Sequence, residues 1–395
     1  MNLSINSLAF NENKSWVSFS VGKIALIIDI NQKSLVTKIE HPDSVSTMAF
    51  NKTGTWFVSG CEDKKVYLWK CEDWKLYEMR QAEKGGISHV MFSPNDDGII
   101  YTDQINCYFL PFDPEAKREV KTIDEWIAIL KKEKKDNSSP SKILLGHLSI
   151  ITDICLSFDN NFLITSDVAR RIRVAHYPNT YEIESFCFGH LDSVTCLGIP
   201  FSEKKPLLLS GGGQFDSCIN LWNYETGKPL FHFPLVGPLE KNVISLSCCP
   251  VNPNLFAFIL EDFTKIFLFQ ITENFEIKPF KDIELEKNQE KQILEKISFD
   301  SKGNLWIIGK NPSVRVFNYP DFKEDLDFQK ETSKFFEISF EEEYEAKENK
   351  RRERKKKTKS IIQPGVDYTQ EEIQNEIKRK RTQKSRQNRN AKDYI

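Results

Sequence analysis

Leu144-Leu-Gly-His-Leu-Ser-Ile-Ile-Thr-Asp-Ile154 and Gly189-His-Leu-Asp-Ser-Val-Thr-Cys-Leu-Gly198 are two versions of one phrase. Each sets a Gly-His pair before a strand-like run, and the second unit closes on Ile219-Asn-Leu-Trp222. Alternating apolar residues bounded by turn formers mark half-buried strands. The same punctuation used twice in succession marks consecutive blades of a β-propeller.

Outward from this stretch, the endings of the third strand of each blade align along the chain. They are Ile24-Ala-Leu-Ile27, Val66-Tyr-Leu-Trp69, Cys107-Tyr-Phe-Leu110, Ile172-Arg-Val-Ala175, Ile219-Asn-Leu-Trp222, Ile266-Phe-Leu-Phe269 and Val314-Arg-Val-Phe317. The steps between them are 42, 41, 65, 47, 47 and 48 residues. WD40-type blades repeat about every 40–45 residues, so the series fits once a single insertion, 113–142, is allowed. A hydrophobic strand and a turn precede each ending, as in Trp56-Phe-Val-Ser59 and Leu207-Leu-Leu-Ser210. The expectation is an all-β, seven-bladed WD40-type propeller over 1–319, with a short helical insertion and a charged, disordered C-terminal tail.

Blades of this type carry a His, a Ser or Thr, an Asp and a Trp in a buried hydrogen-bond chain, which satisfies groups otherwise costly to desolvate. Blade 2 offers His41, Ser59, Asp63 and Trp69, and blade 5 offers His190, Ser210, Asp216 and Trp222. In both, Asp stands six residues before Trp. These histidines therefore read as structural, not catalytic or metal-binding. Blade 4 departs from the pattern. Aligning Ala175 with the Trp puts Ala169 at the Asp position, which leaves His147 only Thr165 and predicts a blade that is less rigid or has its exposed edge supported by something else.

The insertion contains Thr122-Ile-Asp-Glu-Trp-Ile-Ala-Ile-Leu130, where Thr122 and Glu125 form a capping-box pattern. Ile123, Trp126, Ile127 and Leu130 share one helical face, which either packs on the propeller or is offered to a partner. Past Tyr319 the periodicity ends. Residues 320–348 are acidic and dotted with phenylalanines, suggesting a segment that lies against the propeller or a partner. Residues 349–395 hold two basic clusters, one with Lys350, Arg351, Arg352, Lys355 and Lys356, the other with Lys378, Arg379, Lys380 and Arg381. From Ala346 onward there are 17 Lys/Arg against 7 Asp/Glu, a net of +10, which leaves −12 on the preceding 345 residues. An acidic body with a basic tail points to a polyanion partner or a nuclear localisation signal, read through the tail.

Nine cysteines lie scattered without C-x-x-C spacing, mostly in apolar strand contexts where a thiol acts as a small hydrophobe. No apolar run approaches about 18 residues, so no membrane span is expected. No Walker, dinucleotide-binding, H-E-x-x-H or G-x-S-x-G motif is present. Gly211-Gly-Gly213 lies between strands, not at a helix N-terminus, and reads as a flexible turn. Nothing here supplies a nucleophile with its base.

The ordered series of Leu144–Ile154, Phe162-Leu-Ile-Thr-Ser-Asp167, Ile172-Arg-Val-Ala-His-Tyr-Pro178, Ile183-Glu-Ser-Phe-Cys-Phe-Gly-His190 and Leu208-Leu-Ser-Gly-Gly-Gly213 resembles one family. It is similar to the non-catalytic WD40 subunit of tRNA (guanine-N7)-methyltransferase, over roughly residues 143–228. The resemblance implies a heterodimer in the nucleus. Its other subunit carries a Rossmann-type methyltransferase domain with S-adenosylmethionine, and the pair methylates N7 of a guanosine in the tRNA variable loop. This chain would be no enzyme and would hold no cofactor or small-molecule substrate of its own; it would stabilise the catalytic subunit and help place tRNA. The resemblance also implies a partner contact at Arg173, with Arg171, Asp167 and Tyr177 around it. The family's Asp-Arg-Asp-Glu turn is altered here to Asp167-Val-Ala-Arg170. The alternative is a nuclear WD40 scaffold for ribosome or chromatin assembly, without a methyltransferase partner.

Overall fold

The computed structural model describes residues 5–337 and 339, apart from 83, 114–120, 137–140, 203–204, 286–293 and 310–312. Its strands form seven four-stranded antiparallel sheets, each made from four strands consecutive in the chain. Blades 1 to 7 cover 5–40, 45–81, 89–146, 151–187, 194–234, 243–284 and 294–324. All seven third strands expected from the sequence are third strands here. The 65-residue step is the insertion, which lies between the third and fourth strands of blade 3.

Burial follows position in the blade. Second strands such as Trp56–Cys61, Phe162–Asp167 and Leu255–Leu260 are buried throughout. Fourth strands such as Ile183–Cys187 and Ile277–Glu284 are largely exposed and form the rim. First strands line the centre, where side chains link neighbouring blades. Leu197 N donates to Asp153 Oδ2 at 2.8 Å, Ile297 N to Ser245 Oγ at 3.2 Å, and Phe299 N to Ser247 Oγ at 3.1 Å.

The ring closes without strand exchange. The fourth strand of blade 7 is Lys323–Glu324, supplied by that blade's own continuation. The seam is closed by apolar packing of Trp306, Val314 and Val316 from blade 7 against Ile5, Val17 and Phe19 from blade 1. Phe328 and Phe336, on a helix over 326–337, complete this cluster. Their rings lie 5.0 Å from Trp306 and 5.1 Å from Phe19 respectively. The phenylalanine-dotted extension therefore lies on the propeller as far as it is described.

The inserted helix, Ile123–Asp136, starts as its capping box requires. Glu125 N donates to Thr122 Oγ1 at 3.3 Å, and Thr122 N donates back to the Glu125 carboxylate at 2.6 Å. Trp126 and Leu130 bury against Trp69, Leu76 and Met79 of blade 2, and the Arg80 guanidinium lies 5.1 Å from the Trp126 ring centre. Of the two uses the sequence left open for this apolar face, packing on the propeller is the one adopted. Among the described residues, no helix is long and apolar enough to cross a membrane.

Candidate functional site

Three blades solve the same buried-polar problem in three ways. In blade 5 the chain is complete. Trp222 Nε1 donates to Ser210 Oγ at 2.8 Å, Ser210 donates to His190 Nε2 at 2.7 Å, and His190 Nδ1 donates to Asp216. Asp216 reaches His190 because position 212 is glycine. A Cβ on Gly212 would stand 2.7 Å from the Asp216 carboxylate. Gly211-Gly-Gly213 is accordingly no flexible turn: the first two end the buried strand Leu207–Gly212, and a Cβ on Gly211 or Gly213 would meet side-chain atoms at 2.7 Å.

Blade 4 holds its aspartate at the equivalent of Gly212 itself. His147 Nδ1 donates to Asp167 Oδ2 at 3.0 Å, and Thr165 Oγ1 donates to His147 Nε2 at 2.8 Å. The expectation that His147 keeps only Thr165 is therefore corrected: Asp167, two residues earlier, supplies the carboxylate that Ala169 lacks. Arg171 completes the unit, with Nε and Nη2 on Asp167 Oδ2 at 2.9 and 2.7 Å and its backbone N on Oδ1 at 3.1 Å. Burial alone would raise the Asp167 carboxyl, but the His147 and Arg171 hydrogen bonds outweigh it and hold the group below the usual carboxylate range.

In blade 2, Cys61 stands at the position of Gly212, and the chain stops short. Trp69 Nε1 donates to Ser59 Oγ at 3.0 Å and Ser59 to His41 Nε2 at 2.8 Å, but His41 Nδ1 turns to the Lys23 carbonyl at 3.3 Å. Asp63, expected in the chain, instead accepts from Tyr67 at 2.7 Å and from Lys65 at 2.6 Å. Burial pushes His41 down to about 4, so it is a neutral structural histidine. The nine cysteines are free thiols. His190 Nδ1, the Asp216 carboxylate and Cys218 Sγ converge within 4.8 Å, a donor set of metal-ligating type. Both His190 nitrogens are committed to the chain, however, and burial pushes the Cys218 thiol up, away from the thiolate a metal needs.

The interface residues expected from the resemblance separate into two groups. Asp167 is fully buried with both oxygens engaged, and Arg171 is tied to it, so these two build the blade. Tyr177 is half-buried against the core between blades 3 and 4. Arg173 differs from all three. It sits on the third strand, where blades 2 and 3 place Tyr67 and Tyr108, each hydrogen-bonded to an aspartate. In blade 4 the aspartate belongs to Arg171. Arg173 Nη2 reaches only the Thr180 carbonyl, at 2.8 Å, its Nε is buried without a hydrogen-bond partner, and no carboxylate pairs with it among the described residues. Desolvation lowers its pKa. Its cross-strand neighbour is Phe186, which stacks on exposed Phe188 at 5.4 Å, while Ile143, Tyr181 and Ile183 on the same stretch of rim are also exposed. Sequence reading missed this apolar rim, because isolated exposed apolar residues on edge strands carry no pattern of their own. The basic residues of the tail, Lys350 to Arg381, lie outside the described residues.

The seven sheets and their buried chains define a WD40 propeller, and the WD-domain family model matches residues 32–70. The family described as the tRNA methyltransferase TRM82 WD40 domain matches residues 114–304. The chain is 28% identical over 240 residues to the Xenopus laevis tRNA (guanine-N(7)-)-methyltransferase non-catalytic subunit wdr4, covering 58% of this chain and 54% of the relative. It is 26% identical over 305 residues to the Danio rerio protein of the same name, covering 74% and 66%. The chain thus spans about half to two thirds of the length of these relatives. Their names agree with the resemblance read from the short motifs: this chain is similar to proteins named as non-catalytic subunits of that methyltransferase. Among solved structures, one titled "Structure of U3-55K" has a TM-score of 0.61 at 17% identity, covering 77% of this chain and 88% of that one, a likeness of fold alone.

Proposed function

We propose that this chain is the non-catalytic subunit of a heterodimeric tRNA (guanine-N7)-methyltransferase, docking its catalytic partner at the rim of blade 4. The observation that carries the docking is Arg173, a half-buried guanidinium without a carboxylate, set among exposed apolar side chains. A fork of that kind suits a carboxylate donated by a partner, since a desolvated Arg–carboxylate pair is stronger and more directional than one in water. The names of the relatives support the partner's identity.

The partner holds S-adenosylmethionine and performs the transfer. This chain acts by binding only the competent conformation of the partner, which raises the population of that form. The basic tail adds sequence-independent attraction for tRNA by counterion release and carries the nuclear signal. Truncation after Tyr344 is expected to lower tRNA affinity, to flatten its salt dependence and to reduce nuclear import, while heterodimer affinity is unchanged. The reading as a whole is tested by purifying the tagged chain and measuring tRNA N7-methylguanosine in a deletion strain. Capture of a methyltransferase and loss of the modification are expected. A scaffold in ribosome or chromatin assembly would leave the modification intact.

A further inference from the structure

The turns joining second to third strands, and the links joining one sheet to the next, all emerge on one face of the propeller. Over blades 4 and 5 that face carries Leu148, Ile150, Val168, Leu191 and Phe215, with Leu148, Leu191 and Phe215 exposed at 94, 72 and 87%. They belong to one surface. Val168 N donates to the Ile150 carbonyl at 2.9 Å, Arg170 Nη1 to the Leu191 carbonyl at 3.4 Å, and Phe215 N to Asp192 Oδ2 at 3.1 Å. Buried stabilising roles are excluded by the exposure itself, and a contiguous apolar patch of this kind marks an interaction surface.

The patch continues from the rim. Phe186 pairs across the sheet with Arg173 and stacks on Phe188, and Leu191 follows three residues later. The rim strand Ile183–Cys187 is five residues long, about 17 Å of edge. A stable complex buries about 800 Å² on each partner, more than that edge supplies. Exposed Arg170, at the centre of the patch, adds a positive charge without a carboxylate partner among the described residues.

We propose that this apolar ridge is a second docking surface for the catalytic subunit, receiving an amphipathic segment that sets a carboxylate beside Arg170. The partner then wraps from the rim at Arg173 onto the face of blades 4 and 5. The inference rests on the proposed function and names a separate surface for the same partner. It also assigns a use to the altered turn, since Val168 and Arg170 both lie on the ridge.

The test compares Leu191→Glu and Phe215→Glu with Phe280→Glu, a half-exposed control on the rim of blade 6, by titrating each full chain with the purified catalytic subunit. The ridge variants are expected to weaken the complex about tenfold or more each, with unchanged unfolding midpoints, while the control stays within twofold. Arg170→Glu is expected to weaken it less. If wild type binds and Arg173→Glu weakens it, but both ridge variants bind normally, the ridge proposal falls and the functional reading stands. If wild type binds no methyltransferase subunit, both fall. Self-association of the isolated chain, abolished by the same ridge variants, would assign the surface to a second copy and overturn the proposal.

Discussion

Blade 5 and blade 4 place a carboxylate against the same histidine nitrogen from different points in the chain. In blade 5 the aspartate reaches back from the turn into space kept open by Gly212; in blade 4, Asp167 occupies that space directly and recruits Arg171. The local consequence is similar, a histidine with both ring nitrogens hydrogen-bonded. The outward consequence is not. Blade 4 consumes one arginine inside the unit, leaves the next, Arg173, without a carboxylate, and puts Val168 and Arg170 on an exposed turn. A repeat that looks decayed in sequence is intact inside and altered on its surface, which is where a partner would read it.

The largest effect that could break this comparison is expected at Asp167. Replacing it with alanine leaves buried His147 without its acceptor and frees Arg171 from its anchor, at a cost of about 3–5 kcal/mol in chemical denaturation. A loss below about 1 kcal/mol would return Asp167 to the surface role first expected of it.

Next comes pH. His41 is held at about 4 in the folded protein against 6.5 ordinarily, so the unfolded chain takes up the proton first. Its contribution is complete above pH 6.5 and is lost as pH falls from there to about 4, amounting to about 3 kcal/mol at about 1.4 per pKa unit. Burial lowers His147 as well, so its share has the same sign. Denaturation curves from pH 7 to 4.5 should show the fall, and His41→Asn should make it shallower.

A smaller effect tests the geometric equivalence itself. Gly212→Ala should displace Asp216 from His190 and cost about 1–3 kcal/mol. Combining Gly212→Asp with Asp216→Ala transplants the blade 4 arrangement and should recover most of what Asp216→Ala loses. Failure to recover would mean that the two carboxylate positions are not interchangeable. Smallest is Asp63→Ala, about 1 kcal/mol, because Asp63 serves Tyr67 and Lys65 and not His41.

These cases also mark what the sequence made legible. The seven third strands, the insertion and its capping box were readable because strand periodicity and cap chemistry are local. The position of Asp63 was not, because spacing from Trp69 ignores the residue two after the serine. Cys61 fills in blade 2 the space that Gly212 opens in blade 5, and Tyr67 offers the aspartate another partner. That glycine was the available signal. Asp167 was misread for the complementary reason: repeat spacing puts the aspartate at a fixed distance along the chain, while the fold requires one at a fixed point in space. The apolar ridge was invisible because its residues come from separate turns and meet only in the folded propeller.

Arg173, with its Nε unpartnered and no carboxylate beside it among the described residues, is the proposed partner-facing group of blade 4. The direct measurement is the dissociation constant of the heterodimer formed by the Arg173→Glu chain with its catalytic subunit, alongside the unfolding midpoint of the isolated chain. Weakening by about a hundredfold with an unchanged midpoint is expected. An affinity within twofold of wild type would contradict the docking of the partner at this blade.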